Sequence, residues 1–409
     1  MTTSEISFNN TENAFAYKTT NQLKKAKFLF GLMGNSFLVK IGTRLTPWAI
    51  KVGLPIKGLV RNTIFSQFVG GETLQQTATV AEMLAAYNVK VILDYGVEGG
   101  ESNNEAYNYA SDEFIKVIDY AATQPNIPYM SIKITGIAAF ALLQKLDILM
   151  HESKENTLVK KYQVALLQLN NDEKKDWEQV IVRLQHICNT ASFLNIGVLV
   201  DAEETWIQDP VDALTMLMMD TYNKTKPVIY NTIQLYRHDR LAFLKTCHEA
   251  AIERKFILAV KLVRGAYMEK ERKRAIDNNY ANPIQVSKIA TDNDYDEALK
   301  FCIANIATIA LIVATHNENS NLLATTLMQS LTDKALHNHI HFSQLYGMSD
   351  NITFNLANAN CSVSKYLPFG PIEDVVPYLM RRAQENSSVK GQTGRELGLI
   401  KKEIQRRIS

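Results

Sequence analysis

The sequence predicts an α/β chain closed into a (β/α)8 TIM barrel, with a helical extension before the first strand and a C-terminal helix over the barrel mouth. Two observations predict it. From about residue 88, short apolar β-rich runs recur, each followed by a polar or glycine-containing turn and then a stretch of helical period, which is the pattern of parallel βα units. The runs are almost continuously apolar, so both faces of each strand need covering; closing eight of them inside a ring of helices does this and leaves no edge.

The eight runs are 90–95, 130–135, 197–202, 228–235, 257–263, 310–314, 340–345 and 363–367. Before them, residues 1–87 form an arm of two or three helices, one opening after Gly70-Gly71 with Glu72 in its first turn, where a carboxylate suits the helix dipole. Residues 88–388 make the barrel. The longest interval separates the second and third runs, where 151–178 reads as an inserted, charged, peripheral helical segment. A helix over 373–386 follows the last run, and 389–409 reads as a basic tail.

With 409 residues and 46% hydrophobic content the chain can bury a sizeable core. Lys plus Arg (44) against Asp plus Glu (42) leaves a formal charge of +2, so no global field recruits nucleic acid. Cys188, Cys247, Cys302 and Cys361 are scattered, which signals neither a disulfide framework nor a zinc cage. No apolar run reaches the ~18 residues of a spanning helix. The N-terminus, with Glu5 and Glu12 among polar residues, does not resemble a transit peptide. The expectation is therefore a cytoplasmic protein, peripheral on the inner membrane, rather than a mitochondrial one. Lys24, Lys25 and Lys27 precede Phe28-Leu29-Phe30 and Leu32-Met33, a stretch that reads either as a helix packed on the barrel or as an interfacial contact with a bilayer.

In such a barrel the active site lies at the C-terminal strand ends. Polar residues fall there from six runs: Lys133, Asp201 to Glu204, Gln234, Lys261 with Arg264, Thr315-His316-Asn317, and Lys365-Tyr366. Singly, Lys133 or Asp201 reads as half of a structural ion pair. Together, cations in strands are too costly to bury unless they are paired or meet an anion, so the set predicts a site for an anionic ligand.

No GxGxxG follows a strand and no P-loop is present, so a nucleotide cofactor would have to sit on the barrel itself. Lys261 and Arg264, followed by Gly265-Ala266, place cations and close-approaching backbone where a pyrophosphate or flavin ring could lie. Glu98 to Glu101 is glycine-rich but acidic, which opposes a phosphate cradle. His337, His339 and His341 alternate, but at the start of the seventh run, the wrong end for catalysis; no metal is expected.

The motifs KLVRGAY, DAEE, ATHN at 314–317, QLYGM and RRAQEN, in this order over about 88–388, resemble those of the proline dehydrogenase family. The long insertion, and lysine rather than arginine at 261, resemble the mitochondrial-type branch. The resemblance implies FAD-dependent oxidation of L-proline to 1-pyrroline-5-carboxylate, with electrons passed to a membrane quinone. It implies that Lys133, Arg381 and Arg382 hold the proline carboxylate, that Asp201 positions the site's cations with Lys261, and that Tyr267, Leu345 and Tyr366 wall the pyrrolidine ring. It further implies that Ala202, Gln234, Lys261, Arg264, Gly265, Ala266, Thr315 and His316 line FAD, with Glu385 near the cofactor ribose or the substrate helix. Three other readings stand beside it: a hydroxyproline dehydrogenase, a Schiff-base lyase or aldolase using Lys133 or Lys261 as the amine, and a regulatory barrel that has lost activity, which the completeness of the site opposes.

Overall fold

The computed structural model describes residues 6–52, 54–96, 103–388 and 392–409, so the Glu98 to Glu101 stretch lies outside the described residues. The strands are β1 (Lys90–Tyr95), β2 (Tyr129–Ile132), β3 (Gly197–Val200), β4 (Ile229–Gln234), β5 (Leu258–Val263), β6 (Ile309–Ala314), β7 (Ile340–Leu345) and β8 (Val363–Phe369). They form one closed barrel in chain order. Pairing is parallel, as in Lys90 opposite Ser364 through Tyr95 opposite Phe369. Every residue of β3 and β4 is buried, the two-sided covering that their apolar runs predict. Lys133 falls one residue beyond β2, at the start of a 3-10 turn (Ile134–Gly136).

By contact the chain divides into two compact units, residues 100–341, and residues 1–99 with 342–409. In the first, the expected insertion is helical: Leu158–Leu167 packs Tyr162 against Trp177, whose indole N–H donates to the Tyr162 hydroxyl at 2.7 Å. The long helix Asn171–Leu194 starts in a capping box between Asn170 and Glu173 and stops at Asn195, which takes the left-handed conformation.

In the second unit the arm is cut into more helices than the sequence suggests: Thr11–Phe15, Thr20–Met33, Ser36–Lys51, short turns over 57–68, and Leu74–Ala85. Glu72 is not in the first turn of the last of these. Thr73 is its N-cap, and Glu72 instead pairs with Arg61 at 2.6 Å. Phe15, Leu23, Phe30 and Phe68 build a core with Val375 and Leu379 of the helix Ile372–Ser388.

Residues 392–408, read from their charge as a tail, are also helical (Gln392–Ile408). Leu399, Ile400 and Ile404 recur at helical spacing and bury one face in that core, which outweighs the basic character of the other. Arg407 of this helix donates to the carbonyls of Phe15 and Lys18.

Lys365 of β8, counted among the polar strand ends, is fully buried in an ion pair with Asp350. Asp350 also accepts from Tyr17 at 2.7 Å and Lys18 at 3.0 Å. The Lys365 ammonium donates to the Met348 carbonyl at 2.6 Å, which fixes the turn leaving β7. Within that turn Gly347 has φ +78°, and a Cβ there would meet the Gln67 carbonyl oxygen at 1.9 Å, so only glycine fits.

Candidate active site

β3 ends in Asp201, whose amide donates to the Ile132 carbonyl at 2.9 Å and so carries the hydrogen-bond ladder one residue past the strand. Its carboxylate takes the ammonium of Lys261 on one oxygen and faces Lys133 at 3.8 Å on the other. Lys261 is 5% exposed, in register with Thr232 of β4 and Ile312 of β6. Two cations are thereby gathered around one carboxylate at the C-terminal strand ends. A cation held at partial burial is stabilised by an anionic partner, so the position suits an anionic ligand.

Glu203, to which the sequence reading assigned no role, joins three strand ends. Its carboxylate accepts from the amide and the hydroxyl of Thr135, two residues beyond Lys133. Its carbonyl accepts from the Gln234 amide at 3.0 Å, and its own N–H donates to Gln208 at 2.7 Å. Burial pushes its carboxyl up to about 7, against the lowering effect of Thr135 and Lys133. The DAEE motif was the available signal; the buried contacts that give this glutamate its place come from residues distant in sequence.

Gln234 is 2% exposed, and while its Nε2 serves Glu203, its Oε1 has no hydrogen-bond partner. A buried acceptor left open at a strand end asks for a donor from a bound group. The imide N–H of a flavin ring is such a donor, so this position fits the cofactor the motifs imply.

Arg264 is held on three sides. Nε donates to Asp292 at 2.7 Å, Nη1 to the Thr315 hydroxyl at 2.6 Å and Nη2 to Ser320 at 3.0 Å, with the guanidinium over the Tyr295 ring at 4.4 Å. The structure therefore brings together two of the expected cofactor residues, Arg264 and Thr315. Three of the five guanidinium N–H donors are spent on the protein. Gly265 (φ +141°) meets a protein constraint, since a Cβ would lie 2.4 Å from the Tyr236 ring. Tyr267 precedes the helix Met268–Asp277 and carries Lys270 over its ring at 5.5 Å. Ala202 and His316 are half-buried, and Ala266 is exposed.

In the other unit, Leu345 and Tyr366 are register partners across β7 and β8. Arg382 is 7% exposed, its guanidinium 5.1 Å from the Tyr378 ring centre, whereas Arg381 is half-buried. The Glu385 side chain lies outside the described residues.

Histidines 337 and 339 sit in a 3-10 segment (Lys334–His339) and His341 on β7 against Tyr129, so they share no strand face. Among the described residues, the one trio of metal-type side chains is Asp147, His151 and Asp209. Arg240 stands 3.7 Å from Asp209, which opposes a cation there.

A family model described as proline dehydrogenase matches residues 77–395. The chain belongs to the proline dehydrogenase family. It is an oxidoreductase. A mitochondrial proline dehydrogenase 1 of Dictyostelium discoideum is 30% identical, with 97% of this chain aligned to 74% of that protein. A hydroxyproline dehydrogenase of Xenopus laevis is 33% identical, over 90% of this chain and 80% of the relative. Among solved structures, proline utilization A of Bdellovibrio bacteriovorus, inactivated by N-propargylglycine, superposes with a TM-score of 0.70 at 18% identity. That match covers 93% of this chain but 38% of the larger protein, and it shows the fold alone. The expectation of a cytoplasmic rather than mitochondrial protein is corrected: relatives from Dictyostelium discoideum, Arabidopsis thaliana and Homo sapiens are named as mitochondrial enzymes. Among the described residues no helix is long and apolar enough to cross a membrane.

Proposed function

We propose that this protein oxidises L-proline to 1-pyrroline-5-carboxylate with FAD as its cofactor, in proline catabolism, and hands the electrons to a quinone through peripheral contact with a membrane. The observation that carries the reading is the Lys133–Asp201–Lys261 cluster, two partly buried cations around one carboxylate at the strand ends, in a chain of this family. FAD, when bound, supplies the hydride acceptor. The chain's own residues orient and exclude. Lys133 presents an ammonium to the substrate carboxylate, and Asp201 keeps it from the Lys261 ammonium. Gln234 offers its open acceptor, and Arg264 its fixed guanidinium, to the cofactor. Arg381 and Arg382 supply further charge for the carboxylate, and Tyr267, Leu345 and Tyr366 enclose the ring. Orientation of a small substrate is where most of the catalytic gain is available.

A second reading, oxidation of hydroxyproline, is favoured by the Xenopus relative. Tyr366 opposes it, because a phenol against the ring leaves little space for a hydroxyl. The test is direct: purified protein is expected to be yellow, to release FAD on denaturation, and to reduce an artificial dye with L-proline faster than with 4-hydroxyproline. Colourless protein that stays inactive after incubation with FAD overturns the cofactor, and the reverse substrate preference overturns the substrate.

A further inference from the structure

The arm carries a surface that neither the barrel nor the oxidation chemistry uses. On the helix Ser36–Lys51 and the residue after it, Phe37 (69% exposed), Leu38, Ile41, Leu45, Trp48 (57%) and Val52 all face outward. At about 100° per residue these six fall within an arc of roughly 100°. Val39, on the other side, and Ala49, at the edge of the arc, are buried. Lys40 and Arg44 fall just beside the apolar arc and are exposed. The preceding helix, Thr20–Met33, adds exposed Phe28 and Leu32, with Lys24 and Lys27.

Charge decides what covers this face. Between Glu12 and Glu72 the sequence contains nine lysines and arginines and no acidic residue. The chain as a whole carries only +2, so these nine cations are a local excess, set against seven more acidic than basic residues in the rest of the sequence, which a water-soluble protein partner of ordinary composition does not need. Lys24, Lys27, Lys40 and Arg44 form no ion pair with an acidic side chain among the described residues, so their charge is available outward. Large apolar side chains flanked by such cations, with a tryptophan among them, match the boundary between headgroups and acyl chains of an anionic bilayer. A second copy of this chain docking through the same face would bring the same excess of positive charge to the contact and be repelled.

We propose that the face of residues 37–52, with Phe28 and Leu32 beside it, docks this protein on an anionic lipid surface, its helices lying in the plane of the headgroups. This identifies the membrane partner that quinone reduction requires and rests on that reading for its purpose. The contact itself is testable without substrate.

The experiment is flotation of the full-length, FAD-loaded protein with phosphatidylcholine vesicles, with and without phosphatidylglycerol. Protein is expected to float with the anionic vesicles and largely to remain behind with the neutral ones. K40Q with R44Q should weaken partition roughly thirtyfold, from about a fivefold contribution per basic residue at the surface. L45S with W48S should abolish flotation while proline-dependent dye reduction in solution is retained. Equal flotation on both vesicle types, or no flotation, overturns the anionic surface. So does a concentration-dependent dimer, seen by light scattering, that L45S with W48S disperses. Flotation without proline-dependent dye reduction removes the function and leaves the surface; dye reduction without flotation does the reverse.

Discussion

Lys365 and Asp350 meet at 2.9 Å with both side chains fully buried, and the same aspartate takes Lys18 from the N-terminal arm. Burial lowers the Lys365 ammonium's pKa, and Asp350 opposes that; for Asp350 itself burial is outweighed by Lys18 and Lys365, which hold its carboxyl well below the usual range. A buried pair of this kind contributes little relative to an apolar pair, yet breaking one half leaves an unpaired charge. Lys365→Met is expected to lower unfolding stability by about 3–5 kcal/mol, and Asp350→Asn by a similar amount. The double variant should lose clearly less than the sum, which a urea-midpoint cycle measures. Additive losses would mean that the two side chains act independently. Because the Asp350 carboxyl is depressed, its contribution is complete above the unfolded value of about 3.9 and is lost as pH falls below it.

Glu203 has the opposite sign. Its carboxyl, at about 7 in the fold, lies above the ordinary value of about 4.3. Between those values the unfolded chain has released the proton and the folded chain retains it, so stability falls as pH rises from about 4.3 to 7 and then levels. Glu203→Gln keeps an acceptor for the Thr135 amide and a donor for its hydroxyl while removing the charge. This variant should be more stable than the parent at pH 8 by on the order of 2 kcal/mol, and nearly equal near pH 5. Parallel urea midpoints at both pH values, with no crossover in the difference, would place the glutamate in a more solvated setting.

The barrel was legible because its strands are buried on both faces: apolar runs such as 340–345 coincide with β7, and even the short β3 begins where expected, at Gly197. Lys133, Asp201 and Lys261 could be gathered from the sequence, since the topology brings successive strand ends together. What the sequence concealed was contact between distant side chains. Lys365 resembles the other polar strand ends, but its partner, Asp350, opens a helix fifteen residues earlier and turns the lysine to structural use. Gly265 reads as room for a ligand until Tyr236 is seen against it. The C-terminal helix was hidden by its charge, because Leu399, Ile400 and Ile404 needed the arm's core before their spacing acquired a meaning.

For the cofactor, Arg264→Ala is expected to give folded protein that retains little FAD. The substitution removes the proposed charge-assisted contact with the cofactor, of about 1.5–3 kcal/mol. It also leaves Thr315 and Ser320 without their shared donor. Asp292 keeps Lys288, so the local fold should survive. The readout is the ratio of flavin absorbance to protein after gel filtration, with circular dichroism as the control. Full occupancy in a folded variant would assign Arg264 to the Asp292 contact alone.

The arginine pair tests where the substrate's charge is held. Adjacent helical residues diverge by about 100°, so both reach one carboxylate only if it lies over the groove between them. Arg382 is buried with its guanidinium on the Tyr378 ring, whereas Arg381 is half-buried, so the two should not be equivalent. Arg382→Met keeps the apolar stem but gives up the ring contact, worth ~1–2 kcal/mol when desolvated, and a modest drop in the urea midpoint is expected from it alone. Both Arg382→Met and Arg381→Met are expected to raise the apparent KM for proline by roughly 10- to 100-fold, as for the loss of a charge-assisted hydrogen bond, while FAD stays bound. Part of that binding is realised only in the productive pose, so kcat should fall as well. Prolinamide separates substrate recognition from packing, because it lacks the carboxylate charge but keeps the ring. Its kinetics should change far less than those of proline in both variants. Equal losses for the two substrates would assign the arginines to the helix's own packing and leave Lys133 as the principal cation for the carboxylate.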